Sequence, residues 1–268
     1  MERIIVLKSN NVDKQQYYQK KIAPFEAEIS ELIKKESAIV AECRQDSTTA
    51  AGKLFLLSER MLNVTSHYLV LNGIGFSIFN MRDEESLGEA RKFFSKALIY
   101  LENIVTGKVD APFSEYEAGL AELTTINALQ RCHLVKKLGL AISLLKIAYG
   151  DNTKWRWVFV DMEGHCAAVS KNLLDLKKLQ TNTDPSNPDY EPLLYHAYLV
   201  KKMLADAADR FQSRYAISTK RSEDLNKAIN FISALYRIHI LLNERDEANE
   251  VKKKIDVWQN QLSSDAKK

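Results

Sequence analysis

Leu87, Ala90, Phe94, Ala97, Leu101 and Ile104 recur at three- and four-residue steps, the period of one face of an α-helix. Ala90 and Ala97 let a neighbouring helix approach closely, and Phe94 fills the gap between them. A charged turn precedes this segment, and before the turn lies a largely apolar stretch that carries Gly73 and Gly75. Glycine costs a helix interior about 1 kcal/mol relative to alanine, so these two imply a packing reason. The pair reads as a tightly packed helical hairpin of the kind used in repeat-like all-α scaffolds. Nothing in it is chemically reactive.

The same period organises the rest of the chain. Residues 4–7, Ile-Ile-Val-Leu, read as a short extended segment. A helix over 13–44 follows, with Asp13 as its N-cap and a kink or restart at Pro24. Its buried face is Ile22, Phe25, Ile29, Leu32, Ile33, Ile39, Val40 and Cys43. Helices are expected over 49–72 and 84–105, the latter stopped by Thr106-Gly107. A longer helical stretch over 114–149 breaks near Gly139, and Gly150-Asp151-Asn152 is a turn. A helix over 155–179 is followed by the Pro-rich loop 181–192. Helices over 193–215, 223–243 and 246–262 complete the chain, with Ser222 and Glu223 or Asp224 as a start signal, and 263–268 as a frayed tail. The fold class is therefore all-α: one elongated domain, 1–262, of eight to nine antiparallel helices with a tetratricopeptide-like core.

Composition excludes several function classes. Basic and acidic residues number 38 and 35, a net charge of +3 that is too balanced for nucleic acid as the main partner. Cys43, Cys132 and Cys166 are widely spaced and odd in number, which suits a reducing cytoplasmic compartment. No run of about 18 apolar residues could span a membrane, and the N-terminal apolar run is too short for a secretory signal.

The reactive side chains do not converge by spacing. Cys132-His133 and His165-Cys166 are adjacent pairs that point about 100° apart on a helix, and no ExxH, HExxH or CxxC spacing accompanies them. No metal or other cofactor is expected. Glu163, Gly164 and His165 near Trp155 and Trp157 lack a nucleophile elbow or phosphate loop, so neither an enzyme nor a small-molecule substrate is expected. The short Lys runs 136–137, 201–202 and 252–254 read as solvated helix faces. Ala90-x3-Phe94-x2-Ala97, with Leu235 and Ala248, echoes tetratricopeptide spacing without a sustained period.

In order along the chain, IIVLKSNNVD, LNGIGFSIFN with DEESLGEARKFFSKALIYLENI, INALQRCHLVKK and PLLYHAYLVKKMLADAADRFQSRYA together resemble the blocks of the Bro domain, the boomerang-shaped helical domain of endosomal-sorting proteins. The resemblance covers most of the chain, in a shortened form that lacks the family's tryptophan-containing β-hairpin and its C-terminal extension. It implies an adaptor that binds the amphipathic C-terminal helix of an ESCRT-III-type subunit, with peripheral recruitment to endosomal or other membranes. The family's docking patch falls on His133, Leu138 and Ile142. By spacing, Leu138, Ile142 and Leu145 form an i, i+4, i+7 stripe that is either core or interface. The rival readings are a tetratricopeptide-like scaffold for extended peptides and a 14-3-3-like phosphopeptide binder.

Overall fold

The computed structural model describes residues 2–45, 50–150, 153–182 and 184–265, with backbone alone for 2–11, 44 and 45. Among these residues the chain forms ten α-helices and one π-helical turn, with no strand. The all-α expectation holds, and the helices form an elongated array.

Helix α1 (Glu2–Gln45), α2 (Ala50–Phe79) and α3 (Glu84–Val105) pack in sequence as one antiparallel set. At the other end α8 (Tyr190–Arg214), the π turn (Tyr215–Thr219), α9 (Ser222–Leu241) and α10 (Arg245–Asp265) do the same. Between them lie α4 (Phe113–Glu122), α5 (Ala128–Tyr149), α6 (Arg156–Leu173) and the short α7 (Leu176–Thr181).

The apolar residues collect in two clusters rather than one. Helix α6 contributes to both, giving Phe159, Met162 and Val169 to the first and Val160, Ala167 and Ala168 to the second. It therefore acts as a shared wall. Gly164 sits in this wall because a Cβ there would lie 2.7 Å from the Phe211 ring of α8. Gly119 has the same reason, since its Cβ would lie 1.9 Å from the Ile104 carbonyl. Gly73 and Gly75 do not. A Cβ at Gly73 would meet nothing within 4 Å, and one at Gly75 would make only ordinary contact with Tyr18.

The α3 stripe is core from end to end: Leu87, Ala90, Phe94, Ala97 and Leu101 are each 0% exposed. Asp83 caps this helix by accepting from the Ser86 N–H at 3.0 Å, and Thr106 ends it with a φ of 62°. On α1, Ile22 and Ile29 are buried, and Phe25, Leu32, Ile33, Ile39 and Val40 pack half-buried against the core. Glu36 crosses to α3, accepting from Lys96 Nζ at 2.9 Å and from Tyr100 Oη at 2.5 Å.

Four expectations are corrected. Residues 4–7 are helical, inside α1; with no strand beside them an extended segment has no ladder to join. Helix α1 passes through Asp13, so Asp13 is no N-cap, and it does not restart at Pro24, which lies inside it. The break after α4 falls at 123–127 rather than near Gly139, because Asn127 and Gln130 form a reciprocal capping box, with N···O distances of 2.9 and 3.0 Å. Ser263 to Asp265 continue α10. The turn residues Asp151 and Asn152 lie outside the described residues.

Candidate groove between α5 and α8

Helix α5 is apolar on two opposite sides. Leu138 and Leu145 are 0% exposed and Ile142 is 5% exposed, all in the core. The stripe predicted as a docking patch is thus packed inside. His133 is on the outer surface, apart from the other three. It shares its side with Leu129, Leu140, Leu144 and Ile147, which are 46%, 60%, 42% and 74% exposed. Leu138 and Leu140 are two residues apart and so about 200° apart around the helix, which separates core from surface. Leu140, Leu144 and Ile147 repeat the i, i+4, i+7 spacing two positions along. The spacing left core and interface open for Leu138, Ile142 and Leu145, and their burial decides for core; the exposed patch that the resemblance implied is not formed by them.

The outer side of α5 borders a groove of about 320 Å³ against α8. Its floor includes Val135, Ile142, Cys166 and Ala207, and Leu140, Leu199 and Met203 form its walls. Gly139 keeps the helices close here: a Cβ on it would lie 3.0 Å from the Met203 methyl. Further along α8, Tyr195 and Tyr198 are 44% and 56% exposed, with ring centroids 6.0 Å apart. Lys136 of α5 lies 5.6 Å over the Tyr195 ring.

The groove rim is basic. Lys136, Lys146, Lys202 and Arg210 face Glu163 and Asp206. Two of the cations share one carboxylate: Lys146 Nζ is 2.6 Å and Arg210 Nε 2.9 Å from Glu163. Lys202 has no ion pair among the described residues. Lys146, Glu163 and Arg210 also line a neighbouring cavity of about 460 Å³ that holds Arg156 and Trp157, so the basic character continues past the end of α5.

The reactive residues considered from the sequence do not assemble into a site. Glu163 faces the groove, while His165 faces α3, with Nδ1 2.6 Å from Glu102. That hydrogen bond, ahead of the opposing effect of burial, raises the His165 pKa. Trp155 stacks under Arg91, whose guanidinium carbon is 3.8 Å from the ring centroid. Cys166 lies in the groove floor with its thiol pushed by burial to about 12, which keeps it protonated and poorly nucleophilic. Burial also raises the Cys132 pKa. Among the described residues no group of three or more His, Cys, Asp or Glu is placed to hold a metal ion. The Lys runs are largely paired: Lys137 with Glu59, Lys201 with Glu244, Lys252 with Asp256 and Lys254 with Asp209. None of the described helices is long and apolar enough to cross a membrane.

No sequence signal marked a partly buried ion cluster at the end of α8. Arg214 reaches α6 through Asp161, at 2.9 and 3.1 Å, and α9 through Asp224, with Nε at 3.0 Å. Asp224 in turn accepts from Thr219 of the π turn at 2.6 Å. The extra residue of a π turn is thus tied to the joint of three helices, and Asp224, read from sequence as a helix-start signal, serves as the ion partner.

The TP0443 family profile matches residues 14–266. The chain belongs to the TP0443 family, a bacterial family whose match carries no link to the Bro domain. No curated protein and no solved structure matches it.

Proposed function

We propose that this TP0443-family chain is a non-catalytic helical scaffold that binds the amphipathic helix of a partner protein in the α5–α8 groove. The observation that carries the reading is the solvent-facing Leu140, Leu144 and Ile147 row, which meets the groove at Leu140, on a helix whose opposite side is already packed. An apolar face left exposed by the described residues, beside exposed tyrosines, has the make-up of a binding surface. Apolar anchors at i, i+4 and i+7 suit a helix laid along a groove.

Charge selects the kind of helix. The rim presents four cations against two carboxylates, so the favoured partner carries Asp or Glu beside its apolar face. From residue 136 to its end at Tyr149 α5 rises about 20 Å, enough for a partner helix of about 14 residues. The ESCRT-III-type tail helix implied by the Bro resemblance would be one such partner. It would have to use the outer stripe and the groove, because Leu138 and Leu145 are fully buried in the core and Ile142 is reached only at the groove floor.

The test uses fluorescence anisotropy with a designed amphipathic peptide of that length, bearing leucines on one face and flanking glutamates. A second peptide carries lysines in place of the glutamates. The acidic peptide should bind at least tenfold tighter, about 1.4 kcal/mol. Leu140→Asp should remove that binding with an unchanged melting temperature. Equal binding of both peptides, or wild-type affinity in Leu140→Asp, would sink the reading.

A further inference from the structure

A second pocket, of about 390 Å³ and open to solvent on one side, is lined by residues 110–112, α4, α6, α7 and α9 and shares no lining residue with the groove. Its walls are mostly apolar, with Phe113, Leu176, Ile238 and Leu241 among them. Two cations break this pattern.

Lys171 is 5% exposed and lines the cavity from α6. A buried ammonium is costly unless it is paired, yet no carboxylate lies within ion-pair distance of it among the described residues. Its neighbours are the Val109 carbonyl, which accepts from Nζ at 3.1 Å, and the Tyr116 ring, whose centroid is 5.2 Å away. An ammonium has three N–H donors, so two are left without an acceptor among the described residues. Burial and the nearby Arg237 charge push the Lys171 pKa down to about 8, against a smaller opposing effect of Asp110, and the amine is still mainly protonated at neutral pH. Arg237 is exposed, lines the same cavity, and has no ion pair or hydrogen bond among the described residues.

An apolar chamber with an under-partnered cation inside and an unpaired guanidinium beside it complements a molecule with an apolar body and one anionic head. A carboxylate fits better than a phosphate. Asp110 offsets part of the positive charge, and two free ammonium donors match two carboxylate oxygens. We propose that this cavity binds a small amphipathic carboxylate, its head on Lys171 and Arg237 and its body along Phe113, Leu176 and Leu241. The competing role for Lys171, holding the chain after α3 through the Val109 carbonyl, involves one donor and gives Arg237 no part.

Calorimetric titration of the full chain with sodium octanoate tests this, with 1-octanol and octyl phosphate as comparison ligands. Octanoate should bind saturably, and octanol at least tenfold more weakly, about 1.4 kcal/mol. Arg237→Ala alters an exposed side chain, so it should keep the melting temperature while weakening octanoate about tenfold. Lys171→Met should remove binding in protein that remains folded; if that variant fails to fold, Arg237→Ala decides the matter. No saturable binding to wild type, equal binding of octanol, or unchanged affinity in Arg237→Ala overturns the proposal. Tighter binding of octyl phosphate overturns the carboxylate assignment.

Discussion

Helices α3 and α5 are both 22 residues long and both lie against the first apolar cluster. They differ in what they do with their apolar residues. Helix α3 buries its whole stripe and exposes one large aliphatic, Ile99. Helix α5 buries Leu134, Leu138, Ile142 and Leu145, then exposes Leu129, Leu140, Leu144 and Ile147 on the opposite side. Folding accounts for every apolar residue of the α3 stripe. On α5 it leaves Leu129, Leu140, Leu144 and Ile147 unaccounted for, and these form the surface on which a function can be argued. The same inward and outward division runs along α8, where His196 is 1% exposed between the exposed Tyr195 and Tyr198.

The largest expected effect is on the α3 side of this comparison. Ala97→Arg places a charge with no partner where the native side chain is 0% exposed. It should cost more than about 4 kcal/mol and leave little folded protein, as read by circular dichroism and thermal melting. An unchanged melting temperature would remove α3 from the core.

Next comes the inner side of α5. Leu138→Ala should lower stability by about 3 kcal/mol in urea denaturation, through lost burial and the cavity left behind. Ile142→Asp should give aggregated protein rather than a folded non-binder. A well-folded Ile142→Asp variant would restore the inner stripe as the patch.

The inner side of α8 has a signature in pH. His196 Nε2 is 2.9 Å from the Ser170 carbonyl, and burial holds the imidazole pKa down at about 4. The folded value lies below the unfolded one, about 6.5, so the neutral ring favours the fold. Its contribution is complete above pH ~6.5 and is lost as pH falls through about 4. The loss is on the order of 3 kcal/mol. His165, with its raised pKa, acts in the opposite sense: its contribution is present below the unfolded pKa and fades as pH rises through the folded one. Urea midpoints between pH 4 and pH 7 should fall less steeply for His196→Gln than for wild type. Parallel profiles would show that His196 does not carry the slope.

The smallest stability effects belong to the outer sides. Leu140→Asp and Ile147→Asp should each change stability by less than about 0.5 kcal/mol, while Leu140→Asp removes acidic-peptide binding. Lys202→Glu should leave stability alone, weaken that peptide severalfold and flatten its salt dependence. A large stability loss at Leu140 would mean that α5 is packed on both sides, and the contrast with α3 would vanish.

Where patterning and chemistry are local, the sequence was legible. Helix α3 was readable to its ends because one stripe, a charged turn before it and a stop signal after it agree. The start of α5 was equally present in Asn127 and Gln130, a capping-box pair just before an apolar run, but Gly139 drew attention as the break. Glycine inside a helix marks either weakness or close approach. Here it marks the approach of Met203, a residue 64 positions away along the chain. The Arg214 cluster and the Lys171 cavity were illegible for the same reason: each joins charges and carbonyls from separate helices, and no spacing rule links them.

By itself the sequence determined the all-α class, the spans of α3, α8, α9 and α10 to within a few residues, and the α3 core stripe, because these follow from a period of 3.6 residues and from local start and stop signals; it read α6 and α7 as one helix over 155–179 and stopped α2 short of Phe79. Only the tertiary structure decided which side of α5 faces in. On a helix with leucines all round, periodicity contains no preferred direction; the direction is set by where α2, α6 and α8 come to rest.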